Sequence, residues 1–116
     1  MNLDPQPLAI QVADENTVDI RLAVPAALPC FADHFPRGPM LPGVLQLGWA
    51  VHFARRQFGI DLPFRQAAQL KFQHPILPDS ELTLRLTRGA GGDIAFRYSL
   101  PARTCSSGKL AFAAAA

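Results

Sequence analysis

A chain of 116 residues has the length of one domain, able to bury a core but with little left for a deep private pocket. The formal net charge of +2, spread over scattered acidic and basic residues, argues against nucleic-acid binding, and no apolar run reaches the ~18 residues of a membrane span. A 49% apolar fraction beside 17% charged residues predicts a globular protein that covers part of its surface with a copy of itself.

The N-terminus, MNLDPQPLAIQV, has neither a basic start nor a long apolar run, so no secretory signal and a cytoplasmic location are expected. Leu8 to Val12 alternates as LAIQV and Val18 to Val24 as VDIRLAV, with ADENT between them as a turn. This predicts an antiparallel hairpin in which Val18, Ile20, Leu22 and Val24 share one face. Pro25 and Pro29 end the second strand.

The next stretch, FADHFPRGPMLPGVLQLGWA from Phe31 to Ala50, organises the rest. Pro36, Pro39 and Pro42 fix φ and remove backbone donors, so the part up to Leu41 is predicted to be a stiff loop. Pro42 fits the first turn of a helix, and Gly43 beside it lets another group approach the backbone. An imidazole, His34, and a helix N-terminus with free amides thus lie side by side in sequence. That combination can hold a carbonyl and move a proton.

From Pro42 to about Phe58 the apolar residues cover nearly the whole circumference, which predicts a buried helix. Arg55 and Arg56 suit its C-terminal end, and Gly59 is its expected cap. Ala67 to Phe72 reads as a strand, interrupted by Pro75 and Pro78. Glu81 to Thr87 and Ile94 to Leu100 follow as strands, with a turn at Gly89–Asp93. Ser106-Ser107-Gly108 reads as a turn before a last strand from Lys109 to about Ala114. The expectation is an α+β fold over residues 1–116, an antiparallel sheet wrapped around one long central helix. Cys30 and Cys105 lack metal spacing and are expected to be reduced and structural; no metal or cofactor is expected. Cys30 lies close enough in sequence to His34 to suggest a nucleophile pair, but no third group is evident to orient the ring.

The stretch HFPRGPMLPGVLQL, with LKFQHPILPDSELTL downstream and the Gly108-Lys109-Leu110 segment, resembles the hotdog-fold 3-hydroxyacyl-[acyl-carrier-protein] dehydratases. The continuation Gln46-Leu47-x-Trp49-Ala50 is more similar to the dehydratase-like branch found with aryl-polyene and related lipid clusters. The resemblance spans roughly Phe31 to Ala113. It implies a hotdog fold, a homodimer or a heterodimer with a paralogue, acyl tunnels at the subunit interface, and acyl carrier protein as partner.

Dehydration needs a base for the C2 proton, an acid for the departing hydroxyl, and a donor to the thioester carbonyl. The resemblance assigns the base to His34 and the carbonyl donor to the Gly43 amide, roles that suit an imidazole and a helix N-terminus. Phe35, Pro42, Val44, Leu45, Gly48 and Trp49 are the expected substrate-binding residues, although Trp49 reads more readily as core than as tunnel wall. Phe72 and His74 read as structural. The family's acidic residue falls at Gly48, which has no side chain. His52, one helical turn on, is the candidate to reach into that space; a held water is another. A non-catalytic acyl-binding subunit and, less consistent with the motif, a thioesterase are the alternatives. Arg55, Arg56 and Arg65 are the expected docking group for an acidic carrier.

Overall fold

Alternation sets the sheet. Val18, Ile20 and Leu22 are buried while the intervening Arg21 is exposed, and Leu82, Leu84 and Leu86 repeat the pattern around Arg85. In the computed structural model, which describes residues 7–28 and 40–113, six strands and one helix form: β1 (Pro7–Asp14), β2 (Thr17–Ala23), α1 (Gly43–Phe58), β3 (Phe64–Phe72), β4 (Glu81–Arg88), β5 (Ile94–Leu100) and β6 (Arg103–Phe112). The sheet order is β1-β2-β4-β5-β6-β3, and every neighbouring pair is antiparallel. Trp49, Ala50, Phe53 and Ala54 of α1 join the inward residues of β2, β4, β5 and β6 in one core. On the other face, charged residues form cross-strand pairs: Arg85 holds Asp19 by two hydrogen bonds, 2.8 and 2.9 Å, and Arg21 meets Glu81 at 2.8 Å. The Arg85 guanidinium keeps the Asp19 carboxyl below its ordinary pKa.

Three expectations need correction. The helix is not buried all round: Val44 is 76% exposed and Gly48 is exposed, so α1 keeps one open face. Ser106-Ser107-Gly108 is not a turn. The chain reverses at Pro101-Ala102, and β6 runs through the Ser-Ser-Gly segment between β5 and β3. Small residues are needed there for packing, not for turning. A Cβ at Gly108 would stand 2.7 Å from both Leu70 Cδ2 and Phe96 Cε2. Gly108→Ala is therefore expected to cost about 1–3 kcal/mol, seen as a lower urea midpoint at unchanged slope.

β3 is also longer than the sequence predicts, beginning at Phe64, and it is irregular. Its register against β6 shifts between Ala68 and Lys71, and Gln69 has φ 55°. Such a bulge breaks the alternation on which strand reading depends. Among the described residues β3 has a hydrogen-bonded neighbour on one side only, and all of its residues but Ala67 are exposed.

At the far end of α1, Gly59 takes the left-handed conformation, φ 62°, and its N–H donates to the Arg55 carbonyl. The Arg55 guanidinium donates to the Ile60 and Leu62 carbonyls at 3.3 and 2.8 Å and lies 5.3 Å from the Phe112 ring centroid. Arg55 thus ties the helix end to the β3 approach, whereas Arg56 and Arg65 are exposed.

Candidate active site

The start of α1 is built to leave donors open. Pro42, at φ −63° and ψ 148°, is the N-cap and offers no capping side chain. Its carbonyl accepts the Leu45 and Gln46 N–H groups, both at 3.1 Å. Among the described residues no acceptor takes the Gly43 or Val44 N–H, and the first turn holds no acidic side chain. The positive end of the helix is therefore uncompensated. A Cβ at position 43 would stand 2.9 Å from Phe72 Cζ, so glycine is what lets the Phe72 ring lie against this backbone.

Gln46 holds that helix end to the sheet. It is 4% exposed, and its Nε2 donates to the Leu41 carbonyl at 3.0 Å. Its Oε1 accepts from Ser106 Oγ at 2.6 Å, and its backbone carbonyl accepts from the Tyr98 hydroxyl at 2.7 Å. The Leu41 N–H in turn donates to the Ile76 carbonyl at 2.7 Å. Gln46→Leu would strand the Ser106 hydroxyl and the Leu41 carbonyl in a buried site. The expected cost is about 2–4 kcal/mol in the denaturation free energy. Ser106→Ala added to that variant should recover part of it, because the orphaned hydroxyl is then gone.

A cavity of about 550 Å³ opens at this helix end, lined in part by Pro42, Gly43, Gln46, Phe72, His74 and Leu77. Its walls are largely apolar, with a few polar groups, the character of a small-molecule site. Phe72 and His74, which read as structural in the sequence, line it with Gly43. Their signal was only their place in the strand downstream of the loop. Gln46 was equally hidden, although a glutamine interrupting an apolar helix is a clue to a buried polar anchor.

The other expected site residues lie as follows. His34 and Phe35, with Cys30, fall outside the described residues. Pro42 and Gly43 line the cavity. Val44 and Gly48 lie on the open face of α1, and Leu45 is half-buried against the core. Trp49, 1% exposed, is a core residue. A Cβ at Gly48 would meet no atom of the described residues within 4 Å, so the His52 side chain does not fill that space. The His52 ring instead stands edge-on to Phe53, 5.0 Å between centroids. The Cys105 thiol is buried, which raises its pKa and disfavours the reactive thiolate. Among the described residues no three His, Cys, Asp or Glu side chains group to hold a metal, and no helix is long and apolar enough to cross a membrane.

Comparison with known proteins adds to this geometry. The family model "ApeI-like: ApeI dehydratase" matches residues 10–109. The dehydratase heterocomplex ApeI:P from Xenorhabdus doucetiae aligns at TM-score 0.82 and 30% identity, over 92% of this chain and 96% of that one. An uncharacterized protein from Erwinia carotovora subsp. atroseptica aligns at TM-score 0.78 and 36% identity, over 91% and 93%. A trans-AT PKS dehydratase domain from Brevibacillus brevis shares the fold, TM-score 0.70, at 16% identity over 96% of this chain and 45% of that one. No curated protein sequence matches the chain.

Proposed function

The chain belongs to the ApeI-like dehydratase family, and we propose that it eliminates water from a 3-hydroxyacyl thioester carried on acyl carrier protein, giving the trans-2-enoyl thioester. The observation that carries this reading is the uncompensated Gly43 amide on the wall of an apolar cavity. In the proposed step the imidazole of His34 takes the C2 proton. Negative charge moves onto the thioester oxygen, where the Gly43 N–H and the helix dipole stabilise it. The C2–C3 double bond then forms as the C3–O bond breaks, and the hydroxyl leaves as water after gaining a proton. Gly48 has no side chain to give that proton, so its source is a water in the open space or His52. Aryl-polyene or related lipid assembly is the pathway class that the family resemblance supports.

The dimer expected from the sequence finds support in what is left uncovered. Phe64, Leu70 and Phe72 on the edge strand β3 are 38%, 39% and 54% exposed, and Val44 is exposed on the open helix face. A free strand edge next to apolar side chains invites a further strand. A second reading follows from the same face: a subunit that binds the acyl chain and is completed by a paralogue supplying the missing carboxylate. Gly48 on the open face of α1 favours it, as does similarity to a protein that forms a dehydratase heterocomplex.

The test is turnover of 3-hydroxyacyl carrier protein by the purified protein, read as enoyl thioester formed. Activity of the isolated protein supports the first reading. Carrier binding with turnover only after a paralogue is added supports the second. Release of free thiol would make it a thioesterase and overturn both.

A further inference from the structure

We infer that Arg103 and His74 form an anion subsite at the rim of the Gly43 cavity, and that it takes the phosphodiester of the pantetheine arm that bears the acyl thioester. This rests on the proposed carrier-bound substrate and names the handle by which it is held.

The pair is built by the backbone. The Gln73 and His74 N–H groups both donate to the Cys105 carbonyl, at 2.8 and 3.1 Å, which binds the end of β3 to the start of β6. Pro75 follows and restricts His74 to extended conformations. Arg103 Nη1 then stands 3.3 Å from His74 Nδ1. A guanidinium can only donate, so Nδ1 must accept and the ring proton lies on Nε2. The contact uses one of five guanidinium N–H groups. Among the described residues Arg103 forms no ion pair; the pairs found are Arg21–Glu81 and Arg85–Asp19. A cation and an imidazole N–H donor therefore stand together, no carboxylate of the described residues pairs with the guanidinium, and His74 lines the cavity that contains Gly43.

The spacing fits a long thioester carrier. Phe72 touches Gly43, and His74 lies two residues further on. At no more than about 3.6 Å per residue, with the reach of the imidazole and guanidinium added, the anion would sit within roughly 15 Å of the Gly43 amide. A pantetheine arm from phosphorus to sulfur is equivalent to about four extended residues, or about 14 Å. A phosphodiester at Arg103 thus puts the thioester carbonyl within reach of the helix N-terminus, with Phe72 beside the arm. Guanidinium groups favour phosphate through paired, charge-assisted hydrogen bonds.

The experiment is equilibrium binding of unreactive acyl thioethers to the full chain. The probes are the acyl pantetheine, its 4′-phosphate, the same group on carrier protein, and the coenzyme A thioether. For the wild-type chain the phosphate is expected to improve affinity about tenfold, falling as salt is raised. Arg103→Ala should erase that gain and leave the phosphate-free probe unchanged, while Arg103→Lys should keep part of it. His74→Gln, which retains a side-chain N–H donor, should also keep part of the gain, and His74→Ala should lose more. A phosphate that adds nothing to the wild-type chain overturns the subsite, as does an equal loss for both probes in Arg103→Ala. A gain confined to the coenzyme A thioether overturns the carrier-arm assignment. If the phosphate-free probe itself fails to bind, the dehydratase reading falls and the subsite with it, so the two failures are distinct.

Discussion

Replacing His34 with alanine is expected to lower turnover of 3-hydroxyacyl carrier protein by roughly 10²–10⁴-fold, with little change in the affinity for an unreactive acyl thioether. The split matters more than the size. The C2 proton of a thioester is weakly acidic, and its removal near neutral pH needs a base whose own proton affinity is close to that of the medium. Imidazole meets that condition. Gly43 can supply only the other half of the chemistry, stabilising the oxygen on which charge accumulates. A chain without His34 should therefore still bind the acyl group in the cavity beside Gly43 while failing at proton transfer. Turnover undiminished in His34→Ala would remove the dehydratase mechanism. A parallel loss of binding and turnover would instead make His34 a structural part of the loop.

Which features were legible from the sequence follows from which residues answer only to their nearest neighbours. β2, β4 and β5 alternate cleanly because each is a central strand with one face on the core and one in water. Ile20, Leu84 and Phe96 occupy the same face of the sheet for that reason. β6 defied reading because its Ser-Ser-Gly segment is chosen by more distant partners: Ser106 answers Gln46 on the helix, and Gly108 gives way to Leu70 and Phe96. β3 reads as strand only from Ala67 because its register against β6 shifts between Phe64 and Gln66, at its opening. The helix misled in the opposite direction. Its apolar circumference reads as burial within the chain, yet Val44 and Gly48 face outward. At the site, the loop motif pointed to Gly43. Nothing local in the sequence points to Phe72 or His74, and Gln46 shows only as a glutamine interrupting an apolar helix; all three reach the cavity through the pairing of β3, β6 and the helix start.

Gly48→Glu is expected to raise turnover by roughly 10²-fold without loss of stability. The structural half of this expectation follows from position. Gly48 lies inside α1 on its exposed side, and a Cβ there meets no atom of the described residues within 4 Å. Its backbone lies in a regular helix, so no left-handed conformation requires glycine. Replacing glycine within a helix with a better helix former contributes about 0.5–1 kcal/mol, so the variant should melt no lower than the wild type. The chemical half rests on the proton that the departing hydroxyl must gain. In the proposed reaction, with no side chain at position 48, that proton would come from a water or from His52, neither of which is held at the helix position where the family resemblance places a carboxyl group. A glutamic acid there restores a donor of fixed origin. Gly48→Ala separates the two effects: it should share the gain in stability and leave turnover at the wild-type level. A rise in Gly48→Glu alone then identifies the carboxyl group as the missing member. Equal turnover in Gly48→Glu, Gly48→Ala and wild type would show that proton delivery does not limit the reaction. The acid would then already be present, and His52→Ala should lower turnover where His52 supplies it.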